Sequence, residues 1–203
     1  WDDFVALCVE HGWYGAENLS LIPGDVGAAA VQNIGAYGCE ISDIISSVEV
    51  YDTQQGCGMT FFPDECGYAY RSSIFKQSCK RYFVLKVVFR LSTEPNFTLD
   101  YGRLGTIVGG EPTLQKVRDA VVATRRSKLP DPDQTGSAGS FFMNPVVSRT
   151  LYERLAARFP DMPHYHVDAD HEKIPAGWLI EQCGWKGRSL GPAAVHDRQA
   201  LVL

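Results

Sequence analysis

Ile44-Ile45-Ser46-Ser47-Val48-Glu49-Val50-Tyr51 decides the fold, because the run is dense in β-branched residues and holds neither glycine nor proline. Such a run fits a pleated, half-buried strand. Residues 59–62 (Met-Thr-Phe-Phe) follow after a glycine-containing connection, 52–58, that predicts a hairpin, and residues 82–91 alternate like a third strand. The connection between the second and third strands is where a sheet presents chemistry on a loop. It contains Tyr70-Arg71-Ser72-Ser73-Ile74-Phe75-Lys76, a guanidinium, a phenol and an ammonium around one short turn expected to lead into an apolar strand.

An arginine offers a fixed fork of donors that suits a carboxylate or phosphate in two-point fashion. Read alone, the turn fits a solvated connection capped by serines as well as an anion site. A second segment favours the site: Gly136-Ser137-Ala138-Gly139-Ser140-Phe141-Phe142-Met143-Asn144-Pro145, where small residues let the backbone approach a ligand and Ser140 precedes an aromatic pair expected to be buried. A third stretch, residues 18–38, is rich in Gly, Ala and Pro and poor in charge. It reads either as a tight connecting loop or as a backbone surface for a phosphate or a flavin edge, and its glycines lack the Gly-x-Gly-x-x-Gly spacing of a Rossmann turn.

Tyr-Arg-x-Ser-x-Phe-Lys, followed by Lys128-Leu129-Pro130-Asp131-Pro132 and Gly-Ser-Phe-Phe-x-Asn-Pro, resembles the UDP-N-acetylenolpyruvoylglucosamine reductases (MurB), flavoenzymes of bacterial cell-wall synthesis. Ile22-Pro23-Gly24-Asp25-Val26-Gly27, Gln32-Asn33-Ile34-Gly35-Ala36-Tyr37-Gly38 and the closing run from Ala194 stand in the family's order, so the similarity covers the whole chain. The resemblance implies an α+β fold: part of a MurB-like FAD-binding domain, a mixed sheet with short helices, over residues 1–105, then a smaller α+β substrate-binding domain over 106–203. Family members begin with a further FAD-binding segment holding a glycine-rich phosphate loop and finish with a segment carrying a catalytic glutamate, and neither is matched here.

Carried over residue by residue, the resemblance implies catalytic roles for Arg71, as the cation at the substrate carboxylate, and Ser140, as proton donor. It implies FAD contacts at Ile22, Pro23, Gly24, Gly27, Ala28, Asn33, Gly35, Ala36 and Arg125. Substrate contacts fall on Tyr37, Tyr70, Tyr101 of the loop 98–102, Lys128, Asn144 and Gln199. The implied reaction is reduction of UDP-N-acetylglucosamine enolpyruvate to UDP-N-acetylmuramate with FAD as cofactor and NADPH as hydride donor, given the missing segments in the parent protein. The alternative is an inactive fragment that only binds nucleotide-sugar or flavin.

Composition is ordinary for a globular chain of 203 residues, 45% hydrophobic and 21% charged. A formal net charge of -5 argues against a nucleic-acid binder, whose affinity needs clustered cations. No apolar run approaches a membrane span and the start lacks a signal-peptide pattern, so a cytoplasmic location is expected; the expected state is a monomer. Six cysteines without a Cys-x-x-Cys pair are expected as free thiols, with Cys57 and Cys79 the more exposed. His164, His166 and His171 lie among aspartates, yet their spacing fits no known ligand pattern and no metal is expected.

Helical spacing of Trp1, Phe4, Val5 and Cys8 predicts an opening helix stopped near Gly12. Residues 112–127 predict a helix with Leu114, Val117, Val121 and Val122 on one face and Arg125, Arg126 and Lys128 at its C-terminal end. Ser148 is expected to cap a helix whose Leu151, Leu155 and Phe159 enter the core. Residues 176–183 are expected as a buried helix closed by Gly184, and 193–203 as an apolar strand interrupted at His196-Asp197-Arg198-Gln199.

Overall fold

The computed structural model describes residues 1–203 except Cys79, Pro132 and Asp133. The chain divides into two units, Trp1–Thr124 and Arg125–Leu203.

The first unit opens with α1 (Asp2–Glu10), which buries Val5 and Cys8 as the spacing predicts, and Gly12 takes φ 70° just beyond it. The stretch expected as a loop instead contains α2 (Val26–Gln32), because three consecutive alanines favour helix and Ala29 and Ala30 find the core. Asn33 closes α2 in the left-handed region at φ 44°, a conformation Asn tolerates. β1 (Gly35–Ala36) and β2 (Cys39–Glu40) then form a hairpin whose two-residue loop, Tyr37-Gly38, has φ of 50° and 83°. Two positive φ values are the signature of a type I′ turn.

β3 (Ile45–Asp52) sits between β4 (Cys57–Phe61) and β5 (Tyr82–Phe89). Pairs such as Val50↔Met59 and Val50↔Val84 are antiparallel, as is every strand pairing among the described residues. Val48 and Val50 alternate into the core with Leu19, Ile41 and Phe75. Asp52 secures the hairpin: its carboxylate accepts from Gln54 N at 2.9 Å and is forked onto Arg81, with Nη2 2.6 Å from Oδ2. That pairing holds the Asp52 carboxyl down at about 2.

Arg71 leads into α3 (Ile74–Gln77), not into a strand. Ser73 caps that helix by accepting from Lys76 N at 3.2 Å while donating to Val31 O at 2.6 Å, which ends the turn before β5 begins. α4 (Leu104–Val108) and α5 (Leu114–Lys128) follow, and Leu104, Val117, Ala120 and Val121 make a smaller core on which Tyr37 and Leu99 pack.

In the second unit β6 (Val146–Ser148) and β7 (Tyr165–His166) both pair with β8 (His171–Lys173). Ser148 caps α6 (Arg149–Arg158), accepting from Leu151 N at 3.3 Å. α6 contributes no buried residue, so its apolar stripe is only half-covered and not the core element expected. α7 (Ala176–Gln182) buries only Ala176, and Gly184 follows it at φ 69°. The closing run is a short hairpin, β9 (Ser189–Leu190) with β10 (Ala193–Ala194), and then irregular chain in which Ala200 and Val202 are buried. A continuous strand does not form there, because Val202 N turns back to Gln199 O at 3.0 Å.

Cys57 is exposed as expected, Cys183 is exposed too, and Cys79 lies outside the described residues. Among the described residues no helix is long and apolar enough to cross a membrane.

Candidate functional site

Arg71 occupies the tip of a two-residue turn in which Ala69 and Ser72 exchange backbone hydrogen bonds of 3.1 and 2.9 Å. Its φ of 53° is a left-handed conformation that costs a β-carbon-bearing residue about 1–2 kcal/mol. Strain of this kind collects where surrounding structure over-determines a functional conformation. Here the over-determination is visible. Nη1 donates to Asn33 O at 3.2 Å, Nη2 donates to Gly35 O, and the Glu40 carboxylate lies 3.6 Å from Nη1. The guanidinium also stands over the Tyr70 ring, 5.2 Å from its centre, and Lys76 Nζ donates to the Arg71 carbonyl at 2.9 Å.

Gly35 is small for a specific reason. A β-carbon there would lie 2.7 Å from Arg71 Nη1 and 3.0 Å from the Cys39 carbonyl, so the arginine fills the space a side chain would take. Asn33 is fully buried; its Nδ2 donates to Glu40 Oε2 at 2.8 Å and Ala69 O at 3.0 Å, and its Oδ1 accepts from Ser42 N at 3.3 Å. Every polar group of that amide is used inside the protein. Glu40 was not singled out from the sequence. A lone carboxylate closing a charge-poor stretch is the signal that would have found it.

The same hairpin brings two tyrosines together. Tyr37 and Tyr101 meet edge to face with ring centres 6.2 Å apart, and a side chain at Gly38 would press on Thr98 at 3.2 Å and Tyr101 at 3.4 Å. The buried Asn18 ties the hairpin to Thr98, donating to Tyr37 O at 2.9 Å and Thr98 O at 2.7 Å. A cavity of about 250 Å³ beside this hairpin is lined by Glu17, Cys39, Asp43 and Thr98 among others, and burial raises the Glu17 carboxyl although Gly15 N donates to it.

Residues 22–28 present a different surface. Pro23, Gly24 and Ala28 are exposed, and nothing lies within 4 Å of a β-carbon built on Gly24, whose φ is 111°. Gly27 instead faces Val84 at ordinary contact, 3.5 Å. The open main chain at 23–24 and 28 is the kind of surface a flavin nucleotide needs, so the residues present fit FAD there.

In the second unit the backbone of residues 138–141 runs beside 201–203: Ala138 N donates to Leu203 O at 2.7 Å, Phe141 N donates to Leu201 O at 2.9 Å, and Ser140 bridges Val202. Ser140 is exposed, and its hydroxyl makes no hydrogen bond among the described residues. Phe141 and Phe142 are 61% and 47% exposed, so the aromatic pair expected in the core lies on the surface, packed edge to face on itself. Asn144 Oδ1 accepts from Ala176 N at 2.9 Å at the start of α7, where Gln199 Oε1 is 3.7 Å from a β-carbon built on Gly177. Arg125 and Lys128 lie in the last turn of α5, and Arg198 donates to the nearby Ser127 O at 3.0 Å.

Two of the three histidines, His164 and His166, gather on one carboxylate, while His171 pairs with Asp168 at 2.9 Å. Glu172 on β8 is buried and lies 3.0 Å from His164 Nδ1, 3.2 Å from His166 Nδ1 and 3.2 Å from Arg149 Nη2. Hydrogen bonds from His164 and then His166 hold its carboxyl below the ordinary range.

Comparison with known proteins finds relatives that match the whole chain. Residues 1–57 match the FAD binding domain, and residues 131–203 match the UDP-N-acetylenolpyruvoylglucosamine reductase C-terminal domain. A UDP-N-acetylenolpyruvoylglucosamine reductase of Bacteroides fragilis is 57% identical over 100% of this chain and 62% of its own length. One from Porphyromonas gingivalis is 50% identical over 100% of this chain and 61% of its own. The crystal structure of the MurB enzyme of Thermus caldophilus shares the fold, with a TM-score of 0.66 at 24% identity, covering 98% of this chain and 56% of that one. The chain thus spans about three fifths of the curated relatives it matches, 62% of the first. Along its whole length it is similar to the UDP-N-acetylenolpyruvoylglucosamine reductases.

Proposed function

We propose that this chain is part of a cytoplasmic, monomeric reductase that converts UDP-N-acetylglucosamine enolpyruvate to UDP-N-acetylmuramate with FAD and NADPH in peptidoglycan precursor synthesis. The observation that carries the reading is Arg71, a cation aimed and held by main-chain carbonyls in a strained turn inside a chain similar to those reductases. FAD, when bound, relays a hydride from the nicotinamide donor to the substrate double bond. Ile22, Pro23, Gly24, Gly27, Ala28, Ala36 and Arg125 are proposed to hold it; Asn33 is fully buried with its amide spent inside the protein and Arg71 fills the space at Gly35, so neither is proposed to touch it.

Hydride addition places negative charge beside the substrate carboxylate, so a cation fixed there stabilises the transition state more than the ground state. Arg71 takes that role. The enolate then needs a proton at carbon, and the Ser140 Oγ–H donates it from a small-residue turn whose backbone is tied to residues 201–203. Tyr37, Tyr70, Tyr101, Lys128, Asn144 and Gln199 are proposed to orient the nucleotide-sugar.

The test is turnover by the complete flavin-loaded polypeptide. NADPH oxidation that starts on addition of the enolpyruvyl substrate, with a product heavier by two hydrogen atoms in mass spectrometry, is the expected result. Flavin reduction by NADPH with no reoxidation by that substrate overturns the reading.

A further inference from the structure

Arg71 is held partly by neutral acceptors, the carbonyls of Asn33 and Gly35, and partly by one carboxylate, Glu40. The Glu40–Arg71 pair spans 3.6 Å, with side chains 36% and 31% exposed. A pair this long and this open to water adds little to stability. Its geometry is nonetheless tightly set, because the buried Asn33 amide grips Glu40 Oε2 at 2.8 Å and is itself fixed by Ala69 O and Ser42 N. With Oε2 immobilised, Oε1 is left facing Arg71 Nη1. The backbone of Glu40 is locked too, its N–H donating to Asp43 Oδ2 at 2.8 Å.

We infer that Glu40 is a positioning residue for Arg71: oriented by Asn33, its carboxylate sets the plane in which the guanidinium meets an incoming carboxylate. The inference rests on the reading of Arg71 as the cation that receives the substrate carboxylate. Without Glu40, the two carbonyls still attract the donors, but nothing charged opposes rotation of the guanidinium toward solvent. A displacement of about 1 Å at such a group is enough to cost about 100-fold in rate. Asn33 belongs to the same device, since its side-chain groups serve Glu40 and the Arg71 turn and its carbonyl accepts from Arg71 itself.

A double-mutant cycle on the complete flavin-loaded reductase tests this, with kcat/KM for the enolpyruvyl substrate measured for Glu40→Gln, Arg71→Ala and the pair. Glu40→Gln keeps an oxygen for Asn33 and replaces the carboxylate oxygen facing Arg71 with an uncharged amide nitrogen; because that long, half-open pair adds little to stability, the melting temperature of the flavin-free protein should not move. We expect it to lower kcat/KM by about 10- to 100-fold. It should leave flavin reduction by NADPH unchanged, and it should cost nothing further once Arg71 is alanine. Falls that multiply in the double variant, or wild-type kcat/KM in Glu40→Gln beside a crippled Arg71→Ala, overturn the inference alone. Wild-type kcat/KM in Arg71→Ala overturns the functional reading and this inference with it.

Discussion

Arg71 and Ser140 stand in opposite surroundings. Around Arg71, a hairpin, a helix cap and a strained turn converge on one guanidinium, over a core that includes Leu19, Ile41, Val48 and Val50. Around Ser140 only the backbone is tied down; the hydroxyl is exposed and its aromatic neighbours face solvent. The difference teaches where each role gets its precision. A cation that stabilises developing charge must be set before the substrate arrives, and the first unit can do that because its core is already closed. A proton donor needs an exposed hydroxyl that its ligand can reach, and the second unit offers that.

The largest expected effect sharpens the second half of this contrast. Ser140→Ala in the complete enzyme should leave flavin reduction by NADPH near normal while slowing reoxidation by substrate by roughly two to four powers of ten, the scale of a positioned acid. Ser140→Cys, which keeps a transferable proton, should fall less. Stopped-flow flavin absorbance separates the two steps, and substrate reoxidation of Ser140→Ala at the parent rate would reduce Ser140 to a turn residue.

Next comes Gly35→Ala, which attacks the first half. The new methyl would meet Arg71 Nη1 at 2.7 Å and the Cys39 carbonyl at 3.0 Å, and the arginine is the easier of the two to move. We expect about a 10- to 100-fold rise in KM for the enolpyruvyl substrate, with flavin content retained. Loss of flavin with an unchanged KM would mean that Gly35 serves the cofactor and not the arginine.

Much of this was legible in the sequence, for physical reasons. The three strands announced themselves through β-branched alternation, and Ser148 could be seen as a cap beside helical spacing, whereas the four-residue helix that Ser73 caps is too short to show a period and reads as a strand. Helix α2 was hidden because a short Gly- and Ala-rich segment has no polar face to alternate against, and only burial of Ala29 and Ala30 reveals it. Phe141 and Phe142 misled because aromatic residues are assumed to be inside, whereas here they are on the surface. The holders of Arg71 were invisible for another reason. Two are backbone carbonyls, which no residue type encodes, and Glu40 is distant in sequence, so its partner appears only after the chain has folded.

The smallest effect concerns how the first unit is kept closed. The Arg81 fork depresses the Asp52 carboxyl from its ordinary 3.8 to about 2, so its contribution is fully present above the ordinary value and is lost as pH falls through the folded one. Thermal melts of the parent and Asp52→Asn should therefore differ at neutral pH and converge between 3.8 and about 2. A gap that persists at the acid end would show that the stabilisation does not come from the charge.

The most direct test of the account is Arg71→Lys in the complete reductase, which keeps the positive charge but cannot bond two carbonyls and a carboxylate from one planar fork. The two half-reactions are followed by stopped-flow absorbance of the flavin. The account predicts that reduction by NADPH stays within about twofold of the parent while reoxidation by the enolpyruvyl substrate falls by about 100- to 1,000-fold, the scale of losing one preorganised electrostatic contact. Equal losses in both half-reactions, or a lysine variant reoxidised by substrate at the parent rate, would contradict it.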